Sequence, residues 1–305
     1  MAFLYLLEQI RMPGLNEFML AVTTFGEETA FLVAAMILFW CVDKRQGYYV
    51  LSVGFFGTLA NQFLKITCRV PRPWVRDPQF TILEQAREQA SGYSFPSGHS
   101  QSGVGTFGAI AYTSGQKVIR CICIAIAILV PFSRIYIGVH YPSDVLVGSG
   151  MALGLIVLMR PLVYGKDGKR IPYIFAVGAV LSIAFLIYVE FWPFPADIDP
   201  HNLESAIKNA YTLLGALLGL LAAYYFDEKK LHFSTKAVWW IQVIKVVIGL
   251  LLVFAVKEGL RAPLDAVFAG HMAARAIRYF LIVIMAGIIW PMSFSHLQKL
   301  ETKKR

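Results

Sequence analysis

Two histidines, one carboxylate and three cations are spaced along the first half of the chain so that together they could transfer a phosphoryl group. The densest segment reads Ser133-Arg134-x5-His140-x3-Asp144. An arginine and a histidine inside an otherwise apolar stretch are costly in lipid, so they must face a polar cavity, a partner or a substrate. Pro142 suits the first position of a helix, which puts His140 just ahead of it and Asp144 in its first turn. From there the carboxylate can accept a hydrogen bond from one imidazole nitrogen, fixing the tautomer and leaving the other nitrogen free to attack. A second segment, Pro96-Ser97-Gly98-His99, precedes a glycine-rich stretch. Ser97 reads as an N-cap, and its hydroxyl with the backbone N–H groups of Gly98 and His99 makes an anion cradle at a helix N-terminus. The third segment runs from Lys65 to Arg72 and Pro73. Taken singly, Lys65 is a snorkelling lysine, Arg72 a loop charge and Ser97 a plain helix cap. Taken together, Lys65, Arg72 and Arg134 surround an anion cradle and a paired nucleophile and acid, which is a phosphate-handling site. Phosphoryl transfer needs positioning and charge stabilisation above all, and three cations supply that without Mg²⁺. Asp77, Glu84 and Glu88 are scattered along the intervening loop rather than clustered, so neither a metal nor another cofactor is expected.

These segments must be held by membrane helices. Of the 305 residues, 57% are hydrophobic and only 15% charged, with a net charge of +9. Soluble domains carry about 25% charged residues, so the composition indicates a polytopic membrane protein and excludes a nucleic-acid-binding or disordered chain. Apolar runs near 24–42, 48–67, 99–114, 118–136, 143–160, 172–191, 209–226, 239–258 and 274–294 give about nine candidate spans. The third is the weakest, because Ser100, Gln101 and Ser102 open it; its Gly103, Gly105 and Gly108 fit close helix packing. Lys and Arg concentrate in the connections near 43–47, 115–120, 160–170 and 227–236 and in the tail, which makes that side cytoplasmic. All three chemical segments then face outward, and the C-terminus is cytoplasmic. The first 26 residues carry no cleavable-signal pattern, and 1–23 read as two short amphipathic helices, either lying in the membrane interface or capping the first span. Cys41, Cys68, Cys121 and Cys123 read as free thiols.

The three motifs in this order, Lys65-x6-Arg72-Pro73, Pro96-Ser97-Gly98-His99 and Ser133-Arg134-x5-His140-x3-Asp144, resemble the signature of the type 2 phosphatidic acid phosphatase superfamily, membrane relatives of the vanadium haloperoxidases. The resemblance implies an all-α, polytopic helical bundle with a core of roughly six spans, placed here in residues 24–191. It says little about 192–305, a three-span extension. It further implies that His140 attacks phosphorus to form a phosphohistidine while Asp144 stabilises the imidazolium. His99 protonates the leaving oxygen and then activates water, and Lys65, Arg72, Ser97, Gly98 and Arg134 bind the phosphoryl group.

An outward site at the membrane surface implies a lipid phosphate or diphosphate as substrate, and the bilayer as partner, in a plasma membrane. Trp74 and Tyr93 are candidate headgroup contacts, or simple interfacial anchors. Phosphatase action on a soluble sugar phosphate, lipid-phosphate transport without hydrolysis, and vanadate-dependent peroxidation are the alternatives. In the extension, Lys257, Arg261, Arg275 and Arg278 lie near Glu258, Asp265 and His271 and read as solvated salt bridges or a second anionic site. Gly215 and Gly219 have the spacing of a helix–helix contact. Oligomeric state is not legible.

Overall fold

The structure, a computed structural model, describes every residue except Glu88, Gln89, Ser91, Asp197 and 303–305. Glu88, one of the loop acids named above, thus lies outside the described residues. Among the described residues the chain is helical, without strands. In order the helices are α1 (Ala2–Gln9), α2 (Pro13–Thr23), α3 (Glu28–Ile37), α4 (Lys44–Cys68), α5 (Pro73–Arg76), α6 (Gly98–Thr113) and α7 (Lys117–Tyr136). They continue with α8 (Pro142–Tyr164), α9 (Ile171–Phe191), α10 (Pro200–Phe226), α11 (Trp239–Gly259), α12 (Arg261–Val267), α13 (Ala273–Ile284), α14 (Trp290–Met292) and α15 (Phe294–Thr302).

Six helical stretches among the described residues are long and apolar enough to cross a membrane, beginning at Lys117, Pro142, Ile171, Pro200, Trp239 and Ala273. A seventh arises if Pro13–Gly26 and Glu28–Val42, bent by 57°, count as one span. This differs from the expected nine for a physical reason. Helix α6 has 16 residues, about 24 Å of rise, against a hydrocarbon core of about 30 Å. Helix α4 carries Asn61, Gln62 and Lys65 toward its C-terminal end. Both are helices whose polar groups serve the protein interior rather than lipid.

The chain forms two compact units that interleave along the sequence. The first comprises Met1–Leu32, Tyr49–Pro161 and Phe194–Ala206. The second comprises Val33–Tyr48, Leu162–Pro193 and the chain from Ile207 onward. In the first unit α6 packs closely among its neighbours because it is built from small residues. A Cβ on Gly103 would lie 2.7 Å from Val130, one on Gly105 3.2 Å from Val53, and one on Gly108 2.8 Å from Ile156. These glycines are packing positions, as their spacing suggested.

In the second unit α10 meets α13 through Gly215 and Gly219: a Cβ at Gly215 would lie 2.0 Å from the Ala276 carbonyl, and one at Gly219 2.8 Å from Val283. Two of its interior lysines are paired. Lys44 Nζ bonds Asp227 at 2.5 Å and lies 3.6 Å from the Phe233 ring. The fully buried Lys245 donates to the carbonyls of Ser234 and Thr235 and faces the ring of Phe294. The expected salt bridges in the extension do not form: no ion pair joins the cations there to Glu258 or Asp265 among the described residues. Arg275 instead donates to Thr212 Oγ1 at 2.7 Å, and the guanidinia of Arg275 and Arg278 flank the Tyr279 ring. All four cysteines are free thiols.

Candidate active site

The site lies wholly in the first unit, where the end of α4, the start of α6, the end of α7 and the start of α8 converge. Each terminus is made by local sequence. Ser97 caps α6 and its Oγ accepts from Ser100 N at 3.3 Å. Pro142 opens α8, with Asp144 in its first turn. Between α7 and α8 the chain turns at Gly138, whose φ of +89° favours glycine. Helix α8 comes so close to the α6 N-terminus that a Cβ on Gly148 would lie 2.6 Å from the Ser97 carbonyl.

These turns bring His140, Asp144 and Arg72 together, all with at most 6% exposure. Arg72 Nη1 donates to His140 Nε2 at 2.9 Å and to the Val139 carbonyl at 2.9 Å, while its Nε donates to the Gly92 carbonyl at 3.0 Å. A guanidinium only donates, so Nε2 is the unprotonated nitrogen and the proton sits on Nδ1. Nδ1 faces Asp144 Oδ2 at 3.3 Å. That carboxylate oxygen is itself oriented by Ser94 Oγ at 2.5 Å and by the Tyr141 amide at 2.9 Å. The Ser97 amide donates to the Asp144 backbone carbonyl at 3.0 Å, tying the cradle to the helix that carries the carboxylate.

Lys65 Nζ donates to the Tyr93 carbonyl at 2.5 Å, and Arg134 Nη1 donates to Thr23 Oγ1 at 2.8 Å. Arg134 Nε and Nη2 and His99 Nε2 are buried without a protein partner. Buried polar groups are nearly always paired, so these three nitrogens are free to engage a group bound in the cluster. Lys65, Arg72 and Arg134 all lie within electrostatic reach of both histidines. Burial first, and then these cations, hold the His140 imidazole well below its ordinary pKa of 6.5. Burial also lowers the Arg72 guanidinium to about 10, with Asp144 opposing the shift. No group of three or more His, Cys, Asp or Glu side chains converges among the described residues.

Every residue that the sequence assigned to the phosphate site is therefore in this cluster or at its rim. Trp74 is half-buried, its ring 5.7 Å from the Arg72 guanidinium and 5.5 Å from that of Arg87. Tyr93 contributes its carbonyl to Lys65, and its hydroxyl accepts from the Asp199 amide at 3.3 Å. Sequence reasoning missed Ser94, Thr23 and Asn61. Asn61 Nδ2 donates to the Pro96 carbonyl at 3.3 Å while its Oδ1 is a buried orphan. Its place one turn before Lys65 in an apolar helix was a usable signal. Ser94 and Thr23 carried none, since a single hydroxyl near a loop or helix end is commonplace.

The PAP2 superfamily profile matches residues 45–167, spanning every one of these site residues except Thr23, and the PAP2 superfamily phosphatase transmembrane extension matches residues 211–303. Phosphatidylglycerophosphatase B of Bacillus subtilis is 34% identical over 177 residues, 52% of this chain and 79% of that protein. The chain belongs to the PAP2 superfamily. This PAP2 protein is accordingly a multi-pass membrane phosphatase. It is also similar to undecaprenyl-diphosphatase BcrC of Bacillus subtilis, 27% identical over 48% of this chain and 80% of that one. A probable sphingosine-1-phosphate phosphatase of Dictyostelium discoideum is 28% identical over 67% of this chain, which spans about half (52%) of that longer protein.

Proposed function

We propose that the protein hydrolyses a lipid phosphate or lipid diphosphate at the outer membrane surface, without a metal ion, through a phosphohistidine on His140. The observation that carries this reading is the state of His140: Nδ1 faces Asp144, Nε2 is an acceptor, and unpaired nitrogens of Arg134 and His99 lie in the same cluster. When substrate arrives, a phosphoryl oxygen replaces Nε2 as the acceptor for Arg72, and the Nε2 lone pair is released to attack. The N–P bond forms as the P–O bond to the lipid breaks, and the proton on His99 passes to the leaving oxygen. The substrate's negative charge offsets the surrounding cations, which allows His99 to carry that proton. Asp144 stabilises the imidazolium. Water then attacks phosphorus, its proton goes to His99, and the P–N bond breaks to release inorganic phosphate and neutral His140. Lys65, Arg72, Arg134, Ser97 and the Gly98 amide hold the phosphoryl oxygens in both steps. Trp74 and Tyr93 border the headgroup.

An outward-facing site is supported by the basic connections on the opposite side of the membrane. The relatives' names, which include a phosphatidylglycerophosphatase and an undecaprenyl-diphosphatase, support a lipid as substrate. We assign catalysis to 24–191, an accessory role to 192–305, and a plasma-membrane location with a cytoplasmic C-terminus.

The test is phosphate release by detergent-purified protein, with EDTA present, from a panel of lipid phosphates and diphosphates plus glucose 6-phosphate, beside His140→Ala. Release from one lipid class, lost in the variant and blocked by vanadate, is the expected result. Release confined to glucose 6-phosphate overturns the lipid assignment, and lipid-phosphate binding without release overturns hydrolysis in favour of transport.

A further inference from the structure

Three successive pieces of the corner that leads into His140 are held by three different segments. The Val139 carbonyl is taken by Arg72, the Ile137 carbonyl by the Leu83 amide at 3.1 Å, and the Tyr136 carbonyl by Arg11 Nε at 3.0 Å. Arg11 lies outside every motif described above. Its Nη1 also donates to the Thr81 carbonyl at 2.8 Å, its guanidinium lies 5.5 Å from the Phe80 ring, and its Nη2 is buried. A Cβ on Gly138 would lie 2.7 Å from that Nη2, so the guanidinium is wedged against the turn itself.

The rest of the N-terminal hairpin makes this contact firm. Tyr5 OH donates to Asp77 at 2.9 Å, Glu8 accepts from both the amide and the hydroxyl of Thr81, and Asn16 accepts from Tyr136 OH at 2.8 Å. Leu4 and Met19 share one buried cluster with Phe80, Tyr136, Ile137 and Val139. The last carbonyls of a helix have no partner within it, and a cation there also suits the helix dipole, so an arginine capping the end of α7 is favourable in itself. What it adds is placement: a bidentate clamp across two segments that both lead into the site.

We propose that Arg11 is a positioning residue, which fixes the Tyr136–Val139 corner so that His140 meets phosphorus in line. This rests on the phosphatase reading above. Displacing a reacting group by about 1 Å can cost on the order of 10² in rate. Removing the clamp also admits water to His140, whose surroundings are Arg72, Asp144 and Ser94 in contact and Lys65, His99 and Arg134 nearby.

The experiment compares Arg11→Ala, Arg11→Lys and Tyr5→Phe in the full-length protein by hydrogen exchange over residues 136–141 and by kinetics on whichever substrate the panel yields. Tyr5→Phe removes the hydroxyl's bond to Asp77 and keeps the ring that packs against the corner's cluster. The expected result for Arg11→Ala is faster exchange at 136–141, kcat lower by about 10–100-fold with KM nearly unchanged, and an acid limb moved upward in pH. Arg11→Lys should restore part of the loss, and Tyr5→Phe should behave as wild type. Should Arg11→Ala not fold, Arg11→Gln reads the same quantities. Wild-type exchange at the corner, or wild-type kcat with faster exchange, overturns the positioning role. Equal losses in Tyr5→Phe reduce Arg11 to a structural anchor and overturn it too. Failure of the phosphatase reading is separate: it shows as turnover that survives His140→Ala, with the exchange results unaffected.

Discussion

Two lysines of the second unit and one arginine of the first carry buried charge in opposite ways. In the second unit Lys44 is paired with Asp227 at 2.5 Å and Lys245 is spread over two carbonyls and an aromatic ring. In the first unit Arg134 is fully buried, yet two of its nitrogens have no partner, and His99 Nε2 is likewise an orphan. Unpaired buried donors cost stability that a merely structural cation avoids by finding a carboxylate or carbonyl. The contrast therefore separates charge that holds helices together from charge buried without a protein partner. The cations of the extension are intermediate, because Arg275 finds Thr212 while Arg278 keeps a buried orphan Nε.

The strongest way to break this comparison is His140→Ala. Removing the nucleophile should lower turnover on the order of 10⁶-fold, to background in a phosphate-release assay, while the thermal transition stays near that of wild type. Arg134→Ala should cost on the order of 10²–10³ in kcat, with Arg134→Lys recovering only part because it lacks the planar fork. If Lys245→Met in the second unit cost as much, the distinction between ligand-seeking and structural charge would collapse. Lys44→Met should act on stability alone, leaving Asp227 buried and uncompensated and lowering the melting temperature by several degrees; its turnover per folded molecule should stay within about twofold. Ser94→Ala should reduce kcat about tenfold by freeing the carboxylate that orients His140, a loss read from saturation kinetics.

The subtlest expectation concerns pH. Burial and neighbouring cations lower the His140 pKa, so the neutral, attacking form persists below the ordinary value. The rising limb of activity should lie at that depressed value, below pH 6.5, and activity should fall again at higher pH as His99 loses the proton it donates. An acid limb of kcat/KM centred above 6.5 would contradict the assignment of His140 as a nucleophile shielded by cations.

How much of this was legible in advance differs by residue. His140, Asp144 and Arg134 were readable because an ionisable cluster beside a helix-opening proline has few uses in an apolar chain. Gly103, Gly105 and Gly108, and Gly215 with Gly219, were readable as contact positions because small residues repeated along a helix let neighbouring helices approach. The span count was not, since hydropathy does not distinguish a lipid-facing helix from one such as α6 that is enclosed by protein. Nor were the salt bridges of the extension: sequence proximity put acids near bases, but helix geometry aimed Arg275 at Thr212 instead.

By itself the sequence determined the chemistry available here: a histidine with a carboxylate one helical turn away, a capped anion cradle, three cations and apolar helices to carry them. Those follow from residue type and local spacing, which act over a turn or two of chain. Tertiary structure alone decided which nitrogen of His140 accepts, that Ser94 and Thr23 contact the cluster, that two nitrogens of Arg134 have no protein partner, and that Arg11 grips the corner from 125 residues away. Each depends on groups far apart in the chain meeting at hydrogen-bond distance, and no local pattern encodes that.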